Sequence, residues 1–238
     1  MNTLSEKGEG SEILTYTISH LNQCAAFGSA YMGSVQYYAA MLATRQPVIH
    51  AAQTSLTRLW AHNHCRICGA GGVQQLVIPI EKTNYFASTP LRDVTISEHG
   101  NWRHQHWGAL FSSYGKSPFF DYIADDLEHI ICGNQHFLLD LNMQLHQLIV
   151  DFLDLPISCN ATNTLPTNAT DLRRAVGEKK PAESMVHDVP YYQLWAERFG
   201  FVPNLSIIDL LCNTGREAVF TLIDMARRQQ SEHEIYNE

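Results

Sequence analysis

The chain has 238 residues, enough for one large or two small domains, and with 45% hydrophobic and 17% charged residues it can bury a core. That composition excludes whole-chain disorder, and no stretch reaches the roughly 20 uninterrupted apolar residues of a membrane span. A net charge of −8 and a pI near 5.8 argue against nucleic acid as the partner. The polar start, with neither a basic nor an apolar leader region, points to a cytoplasmic protein.

Residues 1–11 read as a flexible tail, and residues 13–18 alternate apolar and polar as a strand or an ordered arm does. Residues 25–32 are small and apolar and suit a buried strand. Gly33 and Ser34 break it, with Ser34 as N-cap of a helix through Tyr37, Tyr38, Met41 and Leu42. A second short strand is expected at 47–51. Residues 73–80 and 91–97 are β-branched and bounded by Gly or Pro, which gives two more.

From Asn101 the period changes to that of helices. Residues 102–114 form one, and Pro118 opens the next, through Phe119, Tyr122, Ile123, Leu127 and Ile130. Within 135–153, Leu138, Leu141, Leu145, Leu148 and Phe152 are spaced three and four apart, with Asn142, Gln144, Gln147 and Asp151 on other faces. Residues 158–189 shift in composition and lack a pattern, as a mobile insert would. Further helices are expected at 191–199, 204–211 and 215–228, before a polar tail at 229–238. The expectation is a single α/β domain over 12–228: a mixed sheet from the N-terminal half, covered by helices of the C-terminal half.

His62, His64, Cys65 and Cys68 form the densest set of metal-ligand types, with the C-x-x-C spacing that can chelate zinc. No second ligand pair follows, so the plainer reading is a strand with buried thiols turning at Gly69-Ala70-Gly71-Gly72. No metal and no cofactor is assigned. Residues 101–107 place two indoles, two imidazoles and an arginine in one and a half turns. Trp102 and His106 are i, i+4 neighbours, and an imidazole held beside an aromatic ring can act as general acid or base. The alternative is a core histidine with both tryptophans as packing. Tyr114 extends the polar and aromatic set. Tyr31 and Gln36 follow the first expected strand, where open α/β sheets bind ligands. Asp209 and Asn213, one turn apart, can cap or coordinate.

Six segments together resemble the WbqC-like family, named for a protein encoded among bacterial O-antigen genes. They are AYMGSVQYYAAML (30–42), NHCRICGAGG (63–72), LVIPIEK (76–82), WRHQHWGALFSSYGKSPFFDYIADD (102–126), DLNMQLHQLI (140–149) and PYYQLWAERFGFVPNLSIIDLLCNTG (190–215). The resemblance is to the short members and spans most of 27–220. It implies a mixed α/β domain and a role near surface-polysaccharide or envelope assembly. Longer relatives carry a His-Gln-Pro after the first strand, similar to the nucleotide-binding histidine of the HUP superfamily, where this chain has Phe27, Gly28 and Ser29. Relatives also tend to have arginines where this chain has His62 and His64.

Two functions follow as expectations. One is a transferase acting on a nucleotide- or lipid-linked sugar, with His106 as the catalytic acid/base and Tyr31, Gln36, Asn63, Trp102, Tyr114 and Asp209 binding the ligand. The other is a non-catalytic small-ligand-binding or assembly protein. In both, the expected partner is a small molecule, with nucleotide sugars among the candidates.

Overall fold

The architecture is that of a computed structural model, described for residues 22–54, 60–81, 89–157, 160–173 and 188–235. In chain order it comprises β1 (Asn22–Phe27), α1 (Val35–Leu42), β2 (Thr44–His50), β3 (His64–Gly69) and β4 (Gly72–Val77). There follow α2 (Trp102–Tyr114), α3 (Ala124–Ile131), α4 (Leu138–Leu153), β5 (Asn160–Thr162), β6 (Thr170–Asp171), α5 (Ala196–Phe199), α6 (Ile207–Thr214) and α7 (Ala218–Ile235). The arm expected at 13–18 lies outside the described residues.

β1 and β2 are parallel, with Ala26 opposite Val48, and α1 crosses between them. From Cys24 to Phe27 strand β1 is apolar and buried, as a strand covered on both faces must be. It ends at Phe27, well before Met32, because Gly28 opens the turn that leads to α1. The Ser34 side chain accepts from the Tyr37 amide at 3.2 Å and caps that helix. Helix α1 is buried all round, covered on its outer side by α7. The parallel sheet has the order β5-β2-β1-β6, and its two flanking strands come from the stretch whose sequence lacks a pattern. Strands of three and two residues leave no period to detect.

β3 and β4 form a separate antiparallel hairpin, with Gly69 opposite Gly72, as the glycine-rich turn predicts. Helices α2 and α6 pack on it. Residues 91–97 do not form the expected strand. A 3-10 turn at Leu91–Asp93 is held by the Leu91 and Arg92 amides donating to the Gln53 and Ala51 carbonyls, and only single bridges follow, at Thr95 and Ile96. The β-branched residues are there to fill the core, where Val94 and Ile96 are buried. Helix α2 coincides with the expected one. The buried Arg103 guanidinium binds Glu98 (2.8 Å) and the carbonyls of Ile131 (3.0 Å) and Gln135 (2.9 Å), tying α2 to the end of α3.

In α4 the buried stripe is wider than the leucine spacing suggests. Asn142 and His146 lie on it with Leu138, Leu145 and Ile149, a correction to the assignment of Asn142 to another face. The helix expected at 191–199 shrinks to Ala196–Phe199. Before it the chain runs as a strap whose side chains bond inward: Tyr191 and Gln193 to Asp209, and the Trp195 indole to the Ser113 carbonyl.

Candidate functional site at the carboxyl ends of the parallel strands

In open α/β sheets, ligands bind beyond the carboxyl ends of the strands, where successive connections leave in opposite directions. β1 is such a place, since its own connection leads to β2 while β6 flanks its other side. The turn after β1 is tightly determined. Tyr31 donates its amide to Ala61, the Ser206 hydroxyl donates to the Met32 carbonyl at 2.7 Å, and the Ile207 amide donates to Gly33. These bonds hold Met32 at φ 43°, a left-handed conformation that a bulky residue adopts only when its surroundings impose it.

Four elements place polar side chains beside this turn. Ser29 comes from the turn itself, Gln53 from just after β2, His62 from the 3-10 turn before β3, and Asn142 from α4. All four are buried. Asn142 Nδ2 donates to Ser29 Oγ (2.9 Å) and to the His62 carbonyl (2.8 Å), and Ser29 Oγ lies 3.2 Å from His62 Nδ1. The ring also lies within bonding reach of the Ser29 backbone, so Nδ1 is the nitrogen turned toward Ser29. Three atoms remain without partners: His62 Nε2, Gln53 Oε1 and Asn142 Oδ1. Buried polar groups are nearly always bonded, so three polar atoms left open in one cluster is an unusual concentration of unmet demand. Gly28 makes the approach possible. A Cβ there would lie 2.8 Å from His62 Cε1, 3.4 Å from Nε2 and 3.6 Å from Gln53 Oε1. Burial lowers the His62 pKa to about 4, so the ring is neutral at pH 7.

The residues singled out from the sequence fall into separate groups. Tyr31, Trp102 and His106 are together: the Tyr31 hydroxyl is 2.8 Å from His106 Nδ1, and Trp102 meets the imidazole edge-on. His106 also donates to the Val77 backbone carbonyl, so its one proton and its one lone pair are both used. Burial lowers its pKa to about 4. Asn63 binds the Ile78 carbonyl and lies 2.7 Å from His64 Nδ1 through its own carbonyl oxygen, beside the end of β4. Gln36 donates to Asp188 at 2.8 Å. Tyr114 and Asp209 meet elsewhere, where Asp209 accepts from Tyr191 (2.8 Å), Gln193 (3.1 Å) and Tyr114. Burial, partly offset by these donors, raises the Asp209 pKa to about 6.

Of the proposed zinc ligands, His62 precedes β3 while His64, Cys65 and Cys68 lie in it. Among the described residues no group of three His, Cys, Asp or Glu side chains could hold a metal ion, and burial raises the Cys65 thiol far above its ordinary range. Gly28, Ser29, Gln53 and Asn142 were not signalled as site residues. Asn142 had a legible cue, a carboxamide within the apolar stripe of a strongly amphipathic helix. Gln53 had none.

These features define a mixed α/β protein with a short parallel sheet and a polar cluster at its carboxyl ends. The chain belongs to the WbqC-like protein family, which matches residues 29–184. It is also 28% identical over 186 residues to the uncharacterized protein Rv1507c of Mycobacterium tuberculosis, covering 66% of this chain and 78% of that one. No solved structure matches. No helix among the described residues is long and apolar enough to cross a membrane.

Proposed function

We propose that this chain binds a small polar ligand, a nucleotide- or lipid-linked sugar of envelope polysaccharide assembly, at the carboxyl ends of its parallel strands. The observation that carries the reading is the cluster of three unpartnered polar atoms beside Gly28. Binding without chemistry at His106 is the better account, because that imidazole is buried and has no free proton or lone pair to offer a substrate. Membership of the WbqC-like family supports the polysaccharide setting.

Transfer of such a sugar is the second reading, and one feature favours it: the Ser29 hydroxyl lies 3.2 Å from His62 Nδ1, within reach of a ring nitrogen. A base with its pKa near 4 is weak at neutral pH, which sets this reading second.

The test is a thermal-shift series on the purified chain with nucleotide sugars, free nucleotides, acyl and aminoacyl donors, and zinc with and without chelator. A ligand at about 100 times its dissociation constant stabilises by roughly 2.7 kcal/mol. A shift with a nucleotide sugar, followed by no turnover of it, is the expected result. A shift with zinc alone, reversed by chelator, would overturn it.

A further inference from the structure

The polar cluster carries information about which part of a ligand it takes. Gln53 Oε1 and Asn142 Oδ1 are hydrogen-bond acceptors, His62 Nε2 is a third when the ring proton sits on Nδ1, and none of the three atoms has a partner. Two of them face the same point on the turn, within 3.6 Å of the position a Cβ on Gly28 would occupy. The third belongs to the carboxamide that holds Ser29 and the His62 backbone in place. A phosphate brings only acceptor oxygens, so it would add to the unmet demand and lose its hydration. The Arg173 guanidinium, beside His50 at the end of β2, does not change this, because it is engaged with Asp171 (2.6 Å) and with His50 Nδ1 (2.8 Å). A full cation would enter a cluster whose described members include no carboxylate to neutralise it. Neutral hydroxyls remain. Each donates one proton, and neighbouring hydroxyls on a sugar ring present several donors a few ångströms apart.

We infer that the cluster formed by Gly28, Gln53, His62 and Asn142 is a subsite for the neutral hydroxyl groups of a sugar ring, and that any phosphate of the same ligand lies outside it. This inference rests on the ligand-binding reading above. Gly28 acts by letting the imidazole come against the backbone. Gln53 and Asn142 supply carboxamide oxygens, and His62 supplies a lone pair. A site built to receive hydroxyls discriminates strongly against analogues lacking them, because its buried acceptors are then left unpaired.

The experiment compares UDP-glucose, UDP, inorganic phosphate and glucosamine by titration calorimetry on the wild type, Gln53→Met and Gly28→Ala. Gln53→Met removes one acceptor at similar volume. Gly28→Ala pushes the imidazole away. The expected result is that UDP-glucose binds at least tenfold more tightly than UDP. Gln53→Met should remove that advantage while raising the melting temperature, since it deletes a buried unpaired oxygen. If Gly28→Ala does not fold, Gln53→Met decides alone.

Binding of UDP-glucose unchanged in Gln53→Met would overturn the subsite and leave the ligand-binding reading intact, with the cluster holding structural water only. Phosphate or UDP binding that is lost in Gln53→Met would overturn the hydroxyl assignment, as would tighter binding of protonated glucosamine. If no compound of this set and no nucleotide sugar of the thermal-shift series binds, the ligand-binding reading itself fails, and the subsite with it.

Discussion

Two buried histidines, His62 and His106, stand beside hydroxyl groups in the same core, and they differ in how the imidazole itself is bonded. The imidazole of His106 uses both nitrogens, with Tyr31 and Val77 as partners and Trp102 against its edge. His62 bonds only through Nδ1, toward Ser29, and its other nitrogen joins two unpartnered carboxamide oxygens. A saturated polar group fixes a fold. An unsaturated one at the end of a parallel sheet is stability left unused, and such exceptions concentrate where a protein binds something. The aromatic setting of His106 made it the more visible candidate in sequence, yet completeness of bonding gives it the structural part.

The largest expected effect is common to both histidines and to His146, which packs against the Tyr38 ring with Nδ1 3.2 Å from its hydroxyl. All three have pKa values lowered by burial to about 4. A lowered imidazole stabilises the fold fully above its unfolded value near 6.5, and that stabilisation is lost as pH falls through the folded value. At 1.36 kcal/mol per pH unit each ring accounts for roughly 3 kcal/mol, so stability should fall by several kcal/mol between pH 6.5 and 4. Urea midpoints measured across that range check this. A flat profile would mean that the rings are not held neutral by burial.

Single substitution comes next. His106→Ala is expected to destabilise by about 3 kcal/mol, through a cavity under Trp102 and a fully buried Tyr31 hydroxyl without its partner. Wild-type stability combined with loss of a measured turnover would restore His106 as an acid/base residue. Asp209 then sharpens the pH profile. Its pKa, raised to about 6, gives a stabilisation that is complete below pH 3.8 and lost as pH rises through 6, opposite in sign to the histidines. Asp209→Asn removes this opposing gain, so stability between pH 6 and 4 should fall more steeply than in the wild type, by about 2 kcal/mol more. Parallel pH–stability curves for the two proteins would contradict that.

Much of the framework was legible because it is written in local chemistry. Ser34 caps α1, the glycines at 69–72 turn the hairpin, and the run from Trp102 to Tyr114 that Gly115 closes reads as α2. What failed to read was set by tertiary context. The two flanking strands of the parallel sheet are too short to carry a period, and residues 91–97 have strand propensity but neighbours that offer only single bridges. The strap at 190–195 contains residues acceptable to a helix, yet its side chains are extended by bonds to Asp209 and Ser113. The site is a harder case. Tyr31, Trp102 and His106 do meet, as their spacing and position suggested, but Gln36, Asn63, Tyr114 and Asp209 bind other partners. Gln53 and Asn142 are joined to Gly28 and His62 only by the fold, across separations that no motif spans.

The smallest effects test the contrast most directly, because they remove one hydroxyl from each histidine. Tyr31→Phe strips the His106 lone pair of its donor in a fully buried place, and should cost about 1.5 kcal/mol. Ser29→Ala removes a hydroxyl 3.2 Å from His62 Nδ1 and leaves one Nδ2 hydrogen of the buried Asn142 without its acceptor, while the other keeps the His62 carbonyl. The expected cost is therefore about 1 kcal/mol, below that of Tyr31→Phe. Urea unfolding with unchanged slopes would compare the two variants cleanly, since a shifted midpoint at constant slope reports stability alone. Equal losses would mean that the Ser29 hydroxyl is as much a structural anchor as the Tyr31 hydroxyl, and the distinction between a saturated and an open histidine would collapse. A loss at Ser29 well below that at Tyr31 would leave the Gly28 turn as a part of the core whose polar groups are only partly spent on folding.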